Sequence, residues 1–179
     1  PMIKSFIQKF FLKFNYKVIN LKKDKSNLDQ YLKHLIDLNN PVIFDVGANE
    51  GQSIKKFKKI FSDAIIHSFE PDDNAYKILF NNYSNNKTIK LNSFGLGNKN
   101  EYLKFNSYMD TGKSSFYKLN LDTKFIKYKS DILGVDKKKY LESSYLKEVK
   151  TIDNYCEESK IKKINYLKID TQGYEENII

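Results

Sequence analysis

The chain has 179 residues, a length that suits one domain with a buried core and is too short for two ordinary domains. An apolar fraction of 40%, with thirteen phenylalanines and thirteen tyrosines, excludes a disordered chain even though 30% of the residues are charged. The net charge is +9, but every basic residue is a lysine; because phosphate and base recognition favours arginine, we expect no nucleic-acid partner.

A single cysteine, Cys156, excludes a disulfide framework and supplies too few thiolates for a zinc site. The sequence has two histidines, His34 and His67, and a lone histidine more often lies in a core or on a surface than on a metal. We therefore predict no bound metal.

Residues 2–23 place apolar side chains at every third or fourth position with lysines between them, which predicts a basic amphipathic helix. The lysines interrupt each apolar run well short of the ~18 residues that span a bilayer, and no signal-peptide core follows. We expect a cytoplasmic protein whose first helix either packs on the domain or contacts a membrane surface or a partner. A second helix is predicted over residues 27–38, so that residues 1–40 form a helical extension.

From residue 41 onward, short apolar runs alternate with helical stretches, which is typical of a parallel sheet with crossover helices. Strands are predicted at 42–45, 64–69, 88–94 and 164–170, and helices at 52–61 and 74–82. Residues 41–179 are therefore predicted to form an α/β domain with a Rossmann-like fold, in which helices flank a central, mostly parallel, twisted sheet.

A longer insertion separates the third predicted strand from the last. Within it, residues 103–106 alternate as an antiparallel strand does, residues 110–113 indicate a turn, and residues 137–139 are a solvated charge run. Residues 173–179 begin a helix, which leaves four parallel strands and one open side of the sheet. We therefore expect that the domain is truncated at its C-terminus.

The first predicted strand ends in a glycine turn over residues 45–51, Asp-Val-Gly-Ala-Asn-Glu-Gly. Gly47 and Gly51 permit positive φ angles, and such a turn brings the backbone N–H groups around Ala48 against a ligand. The two acids of the turn disfavour a pyrophosphate but suit a ligand that carries an ammonium and a sulfonium group. S-adenosylmethionine carries both; its carboxylate would bind the turn amides while Asp45 attracts its amino group.

The second predicted strand ends in Phe69-Glu70-Pro71, one βαβ unit after the glycine turn. An acid at this strand end is placed to accept two hydrogen bonds from the cis-diol of a ribose, whereas the alternative is a carboxylate that caps the helix at Asn74. The third strand ends in small residues beside an aromatic, where an adenine would lie against the backbone of Gly95. A plain turn explains that pattern nearly as well.

The last predicted strand ends at Asp170 and should lie beside the first strand, across the switch point at which ligands bind. A carboxylate there would face the reactive methyl group and orient or deprotonate an acceptor hydroxyl. The alternative is that Asp170 caps the helix that starts near Gly173 or holds the cofactor loop. Ser114 and Ser115 in the insertion are placed to reach over the acceptor, although loop serines more commonly face solvent.

These motifs together resemble the FkbM-type methyltransferases. The resemblance runs from residue 42 to the end through residues 44–51, Phe69-Glu70-Pro71, Gly95-Leu96-Gly97, Thr151-Ile152-Asp153 and Leu167-Lys168-Ile169-Asp170. It implies a Rossmann-like, S-adenosylmethionine-dependent fold that often acts on hydroxyls of sugars or of natural products. It also implies cofactor contacts from Asp45, Gly47, Asn49, Gly51 and Glu70.

The chain departs from that family at Gln172, where an Asp-x-Glu-Gly signature is usual. The missing charge argues against a divalent metal shared by Asp170 and Glu175. We therefore predict an S-adenosylmethionine-dependent methyltransferase that acts on a hydroxyl of a sugar, glycan or natural product, with Asp170 as the catalytic residue. Two alternatives stay open: an NAD-dependent oxidoreductase on a related sheet, and a non-catalytic module that binds a nucleoside cofactor.

Overall fold

The computed structural model describes residues 28–134 and 140–179. The basic helix predicted over residues 2–23 and the charge run at 137–139 lie outside the described residues. Helix α1 (Leu28–Ile36) forms within the second predicted helical segment, and it belongs to a separate unit from the α/β unit that begins at Leu38. No helix in the described ranges is both long and apolar enough to cross a membrane.

The α/β unit alternates strands and helices before and after the insertion. In chain order its elements are β1 (Val42–Val46), α2 (Gln52–Ile60), β2 (Ile65–Phe69), α3 (Asp73–Tyr83), β3 (Ile89–Asn92), β4 (Gly95–Leu96), β5 (Glu101–Tyr108), α4 (Lys124–Leu133), β6 (Leu141–Lys150), α5 (Ile152–Glu158) and β7 (Tyr166–Ile169). Short 3₁₀ turns follow β5 (Thr111–Lys113) and β7 (Glu175–Asn177).

The main sheet has four parallel strands in the order β3-β2-β1-β7, so the predicted α/β fold with a mostly parallel sheet is confirmed. β7 pairs with β1 although the whole insertion separates them in the chain. The carboxyl ends of β2, β1 and β7 therefore meet at one edge of the sheet, which is where ligands bind in open α/β sheets.

β1 and β2 could be predicted from the sequence because both faces of the sheet are buried at these strands. Phe44 and Phe69 are fully buried and pack with Tyr155 of α5 on one face of the sheet. Ile43 and Ile66, which alternate with them along the strands, are also fully buried. Strands covered on both faces appear as continuous apolar runs, and these two do.

The insertion builds a second sheet in the order β4-β6-β5, with β5 and β6 antiparallel. The third predicted strand, 88–94, was too long: β3 ends at Asn92, and Gly95 turns away to pair with Val149 of β6. The predicted terminal helix over 173–179 is only the 3₁₀ turn Glu175–Asn177. β6, α4 and α5 were not predicted from the sequence; β6 alternates polar and apolar residues irregularly.

Candidate functional site

A cleft of about 600 Å³, counted to its open mouth, lies at the carboxyl ends of β1, β2 and β7. The glycine turn after β1 forms its floor together with Glu70 from the end of β2 and Asp170 from the end of β7. The insertion covers it with an aromatic wall that includes Phe105 and Phe116.

The glycine turn is shaped by a close approach between β1 and β7. Gly47 has a φ of +73°, and a methyl group added there would overlap the backbone carbonyl oxygen of Asp170. Gly51, with a φ of +96°, caps the start of α2 and packs against the ring of Tyr83 in α3. The Tyr83 hydroxyl donates to the Gly51 carbonyl oxygen at 3.0 Å, so α3 supports the turn from behind.

The backbone N–H groups of the turn already have acceptors within the protein. Those of Gly47 and Ala48 donate to the carbonyl oxygen of Phe69 at 3.0 and 3.1 Å, and that of Gly51 donates to the Ala48 carbonyl at 2.9 Å. The structure thus does not present these amides to a ligand carboxylate, in contrast to the sequence-based expectation. The turn contributes to the cleft through the shape of its backbone, which forms the floor.

Glu70 is 7% exposed, lines the cleft, and is held by hydrogen bonds to both carboxylate oxygens. Its Oε2 accepts from the Asn49 N–H at 2.7 Å, and its Oε1 accepts from the Asp72 N–H at 2.8 Å. Burial raises the pKa of Glu70 to about 7, against the opposing effect of these two hydrogen bonds. The helix cap that was the alternative role falls to Asp72, whose side chain accepts from the N–H groups of Asn74 and Ala75.

Asp45 is fully buried and lies behind the wall of the cleft. The ammonium of Lys168, its register partner on β7, is 3.1 Å from Asp45 Oδ1. Burial raises the pKa of Asp45, while the charge of Lys168 opposes that rise. This pair was not predicted, because the sequence does not show the register between β1 and β7.

Asp170 is exposed and lies on the cleft directly after β7. Its Oδ1 accepts from the side-chain amide of Gln172 at 3.0 Å. The turn after β7 is instead closed by Glu175, whose carboxylate accepts from the N–H groups of Thr171 at 2.7 Å and of Gly173 at 3.0 Å. These hydrogen bonds outweigh burial and lower the pKa of Glu175.

Ser115 joins the insertion to the turn after β7, whereas the hydrogen bond of Ser114 lies within the insertion. Ser115 is 4% exposed and donates from its hydroxyl to the backbone oxygen of Thr171 at 3.2 Å. Ser114 accepts from the Tyr108 N–H at 3.0 Å. Both line the cleft, but their hydroxyls hold the insertion in place, so reaching over an acceptor is not the role that these contacts describe.

Two further contacts between the insertion and the residues of the cleft were not predicted from the sequence. The Thr111 hydroxyl donates to Asn49 Oδ1 at 3.1 Å, which joins the 3₁₀ turn of the insertion to the glycine turn. A methyl group on Gly95 would overlap the ring of Phe116, so an aromatic lies where an open backbone surface was expected.

The structure brings five of the predicted site residues to one cleft: Gly47, Asn49, Glu70, Gly95 and Asp170. Asp45, Ala48 and Gly51 lie behind its lining. Among residues 28–134 and 140–179, no group of three or more His, Cys, Asp or Glu residues could hold a metal ion.

Residues 45–179 match the family described as the methyltransferase FkbM domain. The chain belongs to this family. A 2-O-methyltransferase, NoeI of Sinorhizobium fredii, is 22% identical over 161 residues, which cover 89% of this chain. The match spans 65% of that relative's own length.

Two solved structures are also similar. One is a methyltransferase FkbM from Methylobacillus flagellatus, with 17% identity and a TM-score of 0.46; the match covers 78% of this chain and 28% of that one. The other is a chain of the fibrillarin/Nop5p complex, with 10% identity and a TM-score of 0.30; the match covers 62% of this chain and 72% of that one.

Proposed function

We propose that this FkbM-family protein is an S-adenosylmethionine-dependent methyltransferase that acts on a hydroxyl of a sugar, glycan or natural product. The observation that carries the proposal is that Glu70 and Asp170 face one cleft from the two strands that flank β1. One carboxylate is buried and fixed, as a cofactor-binding group should be, and the other is exposed at the mouth. This separates a cofactor half of the cleft from an acceptor half.

The cofactor half fits a nucleoside. Both oxygens of Glu70 are oriented by backbone N–H groups and keep further lone pairs, with which they accept hydrogen bonds from the two ribose hydroxyls. The wall formed by Phe105 and Phe116 offers an apolar surface for the adenine ring. When bound, S-adenosylmethionine would supply an electrophilic methyl group: its S–CH3 bond would break as the O–CH3 bond forms, and S-adenosylhomocysteine would leave.

The acceptor half depends on Asp170. Its carboxylate accepts a hydrogen bond from the acceptor hydroxyl, aligns the oxygen, and takes the proton as the oxygen becomes the nucleophile. Gln172 holds one carboxylate oxygen at 3.0 Å and so limits the side chain's freedom. Transfer to oxygen is supported by the relative NoeI, which is described as a 2-O-methyltransferase.

The cytoplasmic location and the membrane contact of residues 2–23 stay predictions.

Calorimetric titration of the 179-residue chain with S-adenosylmethionine and with NAD, each alone, tests the cofactor. We expect binding of S-adenosylmethionine and none of NAD, because the N–H groups of Gly47, Ala48 and Gly51, which would have to bind a pyrophosphate, already donate to acceptors within the protein. Binding of NAD without S-adenosylmethionine would favour the oxidoreductase. Binding of S-adenosylmethionine without transfer to sugar, glycan-lipid or phenol panels would favour the non-catalytic module.

Affinity for S-adenosylmethionine should rise with pH because of Glu70. Its pKa of about 7 means that the carboxyl is largely neutral at pH 6 and ionised at pH 8, and the ionised form accepts both ribose hydroxyls. We expect affinity to increase about tenfold between these pH values, which is the change in the ionised fraction. In Glu70→Gln the affinity should fall roughly five- to a hundredfold and lose this rise.

Glu101→Gln is the matched control for that titration, because Glu101 is exposed at the start of β5 and does not line the cleft. It should keep both the affinity and the pH dependence of the wild type. A pH dependence in Glu70→Gln equal to that of Glu101→Gln would show that Glu70 does not bind the cofactor as a carboxylate.

A further inference from the structure

We infer that Lys168 is a positioning residue that, together with Asp45, locks the glycine turn in the conformation that receives the cofactor. The inference rests on the proposed function for the cofactor's identity. It assigns to Lys168 a role that family membership does not give, and it changes the role of Asp45 from a cofactor contact to a buried counter-ion.

The ammonium of Lys168 reaches three oxygens of β1 and its turn. It lies 2.7 Å from the backbone oxygen of Gly47, 3.1 Å from Asp45 Oδ1 and 3.5 Å from the backbone oxygen of Val46. The Lys168 side chain is 20% exposed and that of Asp45 is 0% exposed. The shortest of these distances is to the turn itself, so charge neutralisation is not the whole role of Lys168.

The contact with Gly47 fixes one peptide group from both ends. The carbonyl oxygen of the Gly47–Ala48 peptide accepts from Lys168, and its N–H donates to the carbonyl oxygen of Phe69 at 3.1 Å. Both hydrogen bonds would have to break for this peptide to flip. The next N–H along the chain, that of Asn49, is thereby directed at Glu70 Oε2, which it reaches at 2.7 Å.

A continuous set of contacts therefore joins the two halves of the cleft. Lys168 lies on β7, two positions before Asp170, which directly follows that strand, and it holds the turn that orients Glu70. Loss of the Lys168 contact should release the turn and reduce the alignment of the ribose-binding carboxylate. The strand that carries the acceptor-side acid is thus tied to the geometry of the cofactor side.

Asp45 serves this arrangement by keeping the ammonium in place. A carboxylate that is buried without a counter-ion lowers the stability of the fold, and without Asp45 the ammonium of Lys168 would be held less firmly beside the backbone carbonyl oxygen of Gly47. Because the ammonium of Lys168 lies 3.1 Å from Asp45 Oδ1, the carboxylate already has a counter-ion inside the fold.

The test compares Asp45→Asn/Lys168→Met with the wild type, since removing both charges avoids leaving one of them buried alone. Asp73→Asn/Lys147→Met is the matched control: Lys147 of β6 lies 2.6 Å from Asp73 Oδ1 and 3.2 Å from the Ser93 carbonyl, outside the cleft lining. Amide hydrogen exchange of residues 47–51 in the ligand-free chain, the dissociation constant for S-adenosylmethionine and the melting temperature are measured.

In Asp45→Asn/Lys168→Met we expect exchange of residues 47–51 to accelerate at least tenfold, with β2 and β3 unchanged, and the dissociation constant to rise at least tenfold. The control should stay within about twofold on both measures. A variant that melts earlier but keeps turn protection and affinity within twofold would reduce the pair to a purely structural one and overturn the inference. If the wild type does not bind S-adenosylmethionine, the proposed function fails, and the exchange measurement alone decides the role of Lys168.

Discussion

Gly47→Ala is expected to lose measurable binding of S-adenosylmethionine and to melt well below the wild type. Gly47 has a φ of +73°, which costs an alanine ~1–2 kcal/mol. The added methyl group would also overlap the Asp170 carbonyl oxygen, and backbone cannot move aside as a flexible side chain can. β1 and β7 would have to separate, which breaks the edge at which the cleft forms. Calorimetry and thermal unfolding check this result.

Gly134→Ala separates the two causes. Gly134 has a similar φ of +64°, and no atom of residues 28–134 or 140–179 lies within 4 Å of an added methyl group, so we expect the conformational cost alone. We expect a modest loss of stability and unchanged cofactor affinity. Equal effects of the two substitutions would mean that the close approach of β7 to the glycine turn is not what requires Gly47.

Asp170→Asn is expected to reduce methyl transfer by roughly 10²–10⁴-fold while cofactor affinity changes less than about threefold. The amide keeps the size of the side chain and its position on the cleft but cannot take the proton of an acceptor hydroxyl. Rates are measured with the acceptor found in the panel, and affinity by calorimetry on the same preparations.

Asp153→Asn is the control for this substitution, because Asp153 is an exposed aspartate in the first turn of α5 and does not line the cleft. It should leave both rate and affinity unchanged. If Asp170→Asn transferred methyl groups at the wild-type rate, Asp170 would not be the acceptor-side acid. A loss of cofactor affinity with an unchanged rate at saturation would instead place Asp170 in the cofactor half.

Gln172 marks where this chain differs from the usual Asp-x-Glu-Gly signature of the resemblance. Its amide hydrogen-bonds to Asp170, which an ionised glutamate in the same place could not do, because two carboxylates repel each other. Glu175 is occupied by the N–H groups of Thr171 and Gly173. In this chain, therefore, the residues after β7 orient one acid on the cleft.

The strands and the site were predictable to different degrees. β1 and β2 are buried on both faces, so their sequences alone show continuous apolar runs that a glycine turn and an acid then end. β6 is ten residues long yet was missed, since it alternates polar and apolar residues irregularly and gains its stability from pairing with β5. The local pattern of apolar residues indicates how far a strand is buried, but it does not indicate that β6 is stabilised by pairing with β5.

The sequence by itself determined the fold class, the glycine turn, and the acids Glu70 and Asp170 that this structure places on one cleft. These features depend on residue types that follow a strand within a few positions. The tertiary structure alone decided that Asp45 is a buried counter-ion of Lys168 rather than a group on the cleft. It also decided that Thr111 and Phe116 of the insertion cover the cleft. Asp45 and Lys168 are far apart in the chain, and only the register of β1 against β7 puts an ammonium beside that carboxylate.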